Sequence, residues 1–231
     1  MDALSIIVVP RSLTETVEQV LPQVLEVASR LERPTEVFCL EDAAHPCHPK
    51  TIHTLAQFYP QVRVISIDPP LGSTAAMGEA IALAQGSTLA VLDGSGHYPV
   101  EELPRLLSRL VRVDAAFAVP RRHGPRRWLR SIVRRWNAWQ QNIELDRPVG
   151  WMWVAQREAI DGISFASLRL RDIPREIVRR GYRIGQIHVD CRAEIRAADD
   201  QPCLNSAADK PLNIHCHEHQ LAHPPGRRAV A

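Results

Sequence analysis

"STLAVLDGSGHYPVEELPRLL", residues 87–107, decides how this chain is read. An apolar run closes on a single carboxylate, Asp93. Gly94, Ser95, Gly96, His97, Tyr98 and Pro99 follow, and a helix-like segment then opens with Glu101 and Glu102. A short apolar run bounded by glycines fits a strand buried on both faces. A carboxylate at its carboxyl end stands where open α/β sheets bind ligands. Hard oxygens there suit Mg2+ or Mn2+ bridging two phosphates, and the glycines let backbone approach a ligand closely. His97 adds a ligand type more usual for Mn2+. The competing reading is a strand-to-helix turn in which Asp93 accepts hydrogen bonds from the N–H groups that follow it.

Outward from that stretch, apolar runs alternate with helical patterns. Strands are expected at 4–10, 35–41, 62–68, 88–93 and 115–120. Between them lie an amphipathic helix over 14–32, a second helix in "PKTIHTLAQFY", a small-residue helix in "TAAMGEAIALAQ" and a fourth in "VEELPRLLSRLV". Ser12 and Glu15 form a capping box for the first helix, and Pro22 predicts a kink or break within it. "VGWMWVAQ" and "RIGQIHVDCRAEI" read as later strands, with the helix "LRDIPREIVRRGY" between them. Continuous apolar strands alternating with helices predict an α/β domain, its mostly parallel sheet covered by helices on both faces. That domain is expected over residues 1–195, and a His-rich, loosely ordered tail over 196–231.

The totals narrow the classes. With 231 residues, 45% of them hydrophobic, the chain can bury a full domain core. A net charge of +2 excludes a polycation, so anion binding requires local clustering. The five cysteines are scattered, no secretory signal opens the chain, and no apolar run of roughly 18 residues exists. Reduced thiols and a cytoplasmic location are expected.

Further residues are candidates for binding a nucleoside or a phosphate, each with a structural alternative. Glu41 and Asp42 end the second strand, where carboxylates accept hydrogen bonds from a base or from ribose hydroxyls, or equally stand as solvated loop acids. Gly72, with Ser73 and Thr74, precedes the small-residue helix, whose first N–H groups suit a phosphate; the alanines of that helix also suit tight packing. Residues 121–135 hold Arg121, Arg122, Arg126, Arg127, Arg130, Arg134 and Arg135, with Trp128, Trp136 and Trp139 at helical spacing. Guanidinium forks fit phosphate, and tryptophans anchor at interfaces, so a diphosphate, a lipid phosphate or an anionic membrane surface are the candidate partners of 121–139. Most of these arginines also read as a solvated helix face, from which Arg121 and Arg122 differ by following a strand end directly. No recognised nucleic-acid module accompanies the patch, and no nucleic-acid partner is expected. "HCHEH" alternates His215, His217 and His219, a pattern that binds zinc or nickel. Without a second ligand cluster of matching spacing, it reads as adventitious metal binding.

Taken in order, residues 4–190 resemble the family 2 glycosyltransferases, especially the dolichyl- or polyprenyl-phosphate sugar transferases of GT-A fold. "VVPRSLTE" keeps the proline of a Pro-x-x-Asn-Glu signature as Pro10, with Leu13 and Thr14 in the last two places. "EDAA" stands for Asp-Asp-Gly-Ser, and the interval from Gly86 to Asp93 matches the family's. The Asp-x-Asp metal turn appears as Asp93-Gly94-Ser95, the serine replacing its second aspartate. His97 to Glu101 align with a Gln-His-Pro-x-Glu pattern, Pro120-Arg121 with Ser-Arg, and Asp146 to Gly150 with an acceptor-side Asp-x-x-x-Gly. "RRGYRIGQIHV" ends on the family's last strand, with Gln186 in place of a glutamate.

The resemblance implies sugar transfer from a nucleoside-diphosphate sugar to a polyprenyl-phosphate or other hydroxyl or phosphate acceptor. Pro10, Glu41, Asp42 and Gly72 would bind the nucleotide. Asp93, Ser95 and His97 would hold Mg2+ or Mn2+, Arg121 would meet phosphate charge, and Asp146 would orient or deprotonate the acceptor. A peripheral position at the inner membrane surface follows from 121–139. Because several signatures are eroded, the alternatives are a noncatalytic GT-A-like protein that binds a nucleotide-sugar or a partner, and a basic membrane- or nucleic-acid-binding module.

Overall fold

The computed structural model describes residues 2–10, 17–42, 49–68, 73–121, 150–192 and 213–217. Its strands are β1 (Leu4–Val9), β2 (Thr35–Asp42), β3 (Val62–Asp68), β4 (Thr88–Asp93), β5 (Ala115–Pro120), β6 (Trp153–Gln156), β7 (Ile184–Val189) and β8 (Asn213–His217). Helices are α1 (Val17–Ser29), α2 (Pro49–Phe58), α3 (Ser73–Leu83), α4 (Leu103–Arg109), α5 (Arg157–Ile160) and α6 (Ile173–Arg179).

All eight strands form one sheet in the order β7-β5-β6-β4-β1-β2-β3-β8. β1 pairs in parallel with β2 and β4, β2 with β3, and β5 with β7; β6 and β8 run antiparallel to their neighbours. β1 and β4 are buried along their whole length, as strands covered on both faces must be. One face carries α1, α2 and α4 through Val20, Val24, Ile52, Ala56, Leu103 and Leu106. The other carries α3, α5 and α6 through Met77, Ala80, Ile81, Ile160, Ile173 and Ile177.

The chain builds from β1 outward through β2 to β3, then returns to place β4 on β1's other side. This reversal opens a crevice at the carboxyl ends of β1 and β4, where such sheets bind ligands. In register, Val9 of β1 is paired with Asp93 of β4.

Two expectations change. α1 continues through Pro22 without a break. The missing proline N–H leaves one main-chain carbonyl without its helical partner, a loss the packed helix absorbs. In addition, the segment expected to lie in a loose tail contains β8, which lengthens the sheet beyond β3. The capping-box residues Ser12 and Glu15 lie outside the described residues. Among the described residues, no helix is long and apolar enough to cross a membrane.

Candidate active site

At the rim of β4, the turn closes on itself. The N–H of Gly94 donates to the carbonyl of Val9 at 2.9 Å, tying the turn to β1. Ser95 donates twice to Asp93: its N–H to Oδ1 at 3.0 Å and its hydroxyl to Oδ2 at 2.6 Å. The N–H of His97 reaches Ser95 Oγ at 3.3 Å. Gly96 has φ +70°, a left-handed conformation in which a β-carbon is strained. Asp93 is 2% exposed. A polar group so buried needs hydrogen-bond partners, and Ser95 supplies two of the bonds.

The hydrogen bonds are those of the turn reading. Asp93 accepts bonds from the turn that follows, and it also occupies the strand end at the sheet's reversal point. Ser95 shapes the turn through a hydroxyl, which brings no charge to it. The imidazole of His97 stands edge-on to the ring of Tyr98, with centroids 5.2 Å apart. Among the described residues, no three His, Cys, Asp or Glu side chains gather into a metal-holding group. The oxygen donors of Asp93 and Ser95 fit a hard divalent cation in kind. One carboxylate leaves such a cation short of charge, so these residues fit it together with a diphosphate rather than alone.

Of the two acids that end β2, the side chain of Glu41 is described. Glu41 follows Val37 and Cys39 on the α1/α2 face, where its Oε2 accepts from Ser66 Oγ at 2.7 Å and lies 3.5 Å from His53 Nε2. Asp42 closes β2 in register with Ile67, and its side chain lies outside the described residues. Pro10 follows β1 directly, and its carbonyl accepts from Ser73 Oγ at 3.4 Å, which sets the start of α3 beside the β1–β4 crevice. Gly72 and Asp146 lie outside the described residues, as do Leu13, Thr14 and 122–149, which hold the remaining arginines of the basic run and Trp128, Trp136 and Trp139.

Arg121 leaves β5 with its N–H on the carbonyl of Val189 at 2.7 Å, and its guanidinium meets Asp190 at 3.2 Å. Half-exposed, this pair stays within reach of an incoming anion. The segment after β7, which sequence reasoning missed, closes over the Asp93 turn: Arg192 N–H donates to the carbonyl of His97 at 3.1 Å. Cys191 lies between. Burial first, then the charges of Asp190 and Asp93, push its thiol up to about 11. No local pattern in residues 190–192 signals this contact, because it forms between segments far apart in sequence. Tyr98, 6% exposed, packs against Gly150, where a β-carbon would overlap the phenol oxygen. Gly150 thus joins the segment leading into β6 to the Asp93 turn.

The sequence model described as "Glycosyl transferase family 2" matches residues 7–171. No curated protein sequence matches the chain. Among solved structures, it resembles a mannosyltransferase of Pyrobaculum calidifontis in complex with GDP-Man and Mn2+, with 18% identity and a TM-score of 0.62 over 84% of this chain and 58% of that one. The chain therefore spans little more than half the length of that enzyme. The glucosyl-3-phosphoglycerate synthase of Mycobacterium tuberculosis aligns at 17% identity and a TM-score of 0.56, over 84% of this chain and 73% of its own. The mannosyl-3-phosphoglycerate synthase of Rubrobacter xylanophilus aligns at 12% and 0.56, over 86% and 68%. The architecture is the GT-A fold, as the resemblance in sequence implied.

Proposed function

This chain belongs to glycosyl transferase family 2, and we propose that it transfers a sugar from a nucleoside-diphosphate sugar to an acceptor bearing a phosphate or hydroxyl group. The position of Asp93 carries this reading: a buried carboxylate in register with the end of β1, at the point where strand order reverses. Structural relatives bind GDP-Man with Mn2+, and UDP.

In this reading, Pro10, the end of β2 at Asp42, Gly72 and the start of α3 line the nucleotide side. Asp93 and Ser95 hold Mg2+ or Mn2+ jointly with the diphosphate, His97 flanks them, and Arg121 exchanges Asp190 for phosphate charge. The cation would neutralise the departing diphosphate. Asp146 orients the acceptor, or accepts its proton when the acceptor is a hydroxyl. A phosphate acceptor is already nucleophilic and needs little such help. A polyprenyl phosphate is the acceptor the family resemblance favours, with 121–139 docking at a membrane surface.

One observation favours a second reading, a nucleotide-sugar binder without turnover: both oxygens of Asp93 are engaged by Ser95. Calorimetry with UDP- and GDP-sugars, with and without Mn2+, followed by an assay of sugar-nucleotide hydrolysis, tests both. Metal-promoted binding with slow hydrolysis is the result expected of a transferase. Binding that ignores the metal and yields no hydrolysis supports the second reading, and absence of any nucleotide binding ends both.

A further inference from the structure

We infer that the outer side of α6, with the turns before and after it, docks on an anionic membrane surface. The stretch 169–183 holds Arg169, Arg171, Arg175, Arg179, Arg180 and Arg183 against two acids, Asp172 and Glu176. Its net charge of +4 exceeds the +2 of the whole chain, so the remaining residues together carry 2 − 4 = −2. Positive charge is therefore gathered on this one segment. Helix α6 turns Ile173, Pro174 and Ile177 into the core, and all six arginines are exposed. Arg175 and Arg179, four apart, share its outer side, and Arg171 stands one turn before them.

The acids that pair with these arginines lie beneath them. Glu176 accepts two bonds from the Arg179 guanidinium, at 2.8 and 2.6 Å, and its side chain is 23% exposed against 73% for the arginine. Asp114 lies 3.5 Å from Nε of Arg183 and is 19% exposed against 70%. In both pairs the cation is the member that faces water, so the surface stays positive. Exposed pairs of this kind add little to stability, and like charges four residues apart work against a helix. Holding the fold together does not account for the stripe.

The chemistry around the stripe selects the partner. A protein interface is anchored by large apolar or aromatic side chains at a dry centre. Among the described residues, the exposed large hydrophobics are Phe58, Tyr59, Leu83 and Val111, none of them within 169–183. Nor is an aromatic ring exposed there for a nucleic-acid base to stack on. A layer of anionic headgroups asks for neither, because each arginine near it adds its own attraction. α6 leads into β7, which runs parallel to β5, so the start of the helix points toward the rim that bears Arg121 and Asp93. These residues are distinct from 121–139, and the inference stands whether or not the chain transfers sugars.

Co-sedimentation of the full chain with vesicles tests the inference, using phosphatidylcholine alone and phosphatidylcholine mixed with phosphatidylglycerol. Binding is expected to the mixed vesicles only, and to fall as salt is raised. The pair Arg171→Glu and Arg175→Glu should weaken it about twentyfold or more, and the milder Arg171→Gln and Arg175→Gln several-fold. The charge-matched pair Arg30→Glu and Arg109→Glu, on α1 and α4 across the sheet, should weaken it less than about threefold. Thermal melts confirm that each variant is folded, and the glutamine pair serves if the glutamate pair is not. Equal losses from the two charge-matched pairs would overturn the inference, leaving net charge alone as the cause. Binding that ignores the α6 substitutions, or a wild type that does not bind the anionic vesicles, would overturn it too. Tighter binding to duplex DNA than to those vesicles at the same salt, lost in the α6 variants, would assign the stripe to nucleic acid instead.

Discussion

Ser95 donates its hydroxyl to Oδ2 of Asp93 at 2.6 Å while its N–H holds Oδ1 at 3.0 Å, so a single residue grips both oxygens of the carboxylate at the sheet's reversal point. The turn keeps its shape without a second charge, and the geometry separates two roles that a second aspartate combines, shaping the turn and attracting a cation.

Ser95→Asp should restore the attraction. A second carboxylate doubles the negative charge facing a cation, and Mn2+ should then strengthen UDP or GDP binding about tenfold more than it does in the wild type. Calorimetry at matched nucleotide and metal concentrations reads the change. Equal Mn2+ dependence in both proteins would show that this turn does not meet the metal.

Asp93→Asn should quicken the modification of Cys191. Burial and the neighbouring charges of Asp190 and Asp93 all disfavour the thiolate and hold the thiol at about 11. Removing one negative charge lowers that value, so the thiolate fraction at pH 9 rises. Alkylation followed by peptide mass spectrometry should show faster labelling at Cys191 and none at Cys39, whose complete burial pushes its thiol up to about 12.

Gly150→Ala should destabilise the fold by about 1–3 kcal/mol, because the added methyl overlaps the hydroxyl of buried Tyr98. In a Tyr98→Leu background the same substitution should cost less, since the obstructing atom is gone. Urea denaturation of the four proteins in this cycle reads the coupling; additive effects would remove the contact as its cause.

Glu36→Ala should destabilise by about 3 kcal/mol without changing nucleotide affinity. The Glu36 carboxylate accepts from Ser5 Oγ at 2.6 Å, the N–H of Gln85 at 2.6 Å and the N–H of Gly86 at 3.3 Å, and it meets Arg63 at 3.4 Å. The buried Ser5 hydroxyl, left without its acceptor, carries most of the cost, while the Gly86 N–H keeps Ser5 Oγ. The residue sits at the amino ends of β1 and β2, the rim opposite Asp93, so calorimetry on the folded variant should reproduce the wild-type affinity.

Arg121→Ala should do the reverse. Its ion pair with Asp190 is half-exposed and contributes under about 1 kcal/mol, so the melting temperature should barely move. Loss of a guanidinium at the rim should weaken nucleoside-diphosphate binding several-fold, and increasingly so at low salt. A salt series in the calorimeter distinguishes this from a purely structural effect.

The sequence by itself determined the architecture and the rim. Apolar runs such as 4–9 and 88–92 are buried on both faces, and only a sheet covered by helices on each side satisfies such runs; each run's last polar residue then falls at the carboxyl edge. Asp93 was legible for that reason. Tertiary structure alone decided what each rim residue faces. Period-two alternation turned Glu41 toward Ser66 and His53 instead of the Asp93 side, and it was the pairing of β3 with β8 that brought a distant histidine tract into the same row. Arg192 reached His97 only because β7 lies beside β5, a neighbour relation that periodicity does not encode. Burial patterns are local and survive in the chain's text, whereas register and strand order are set by which long-range pairings leave the fewest polar groups unsatisfied.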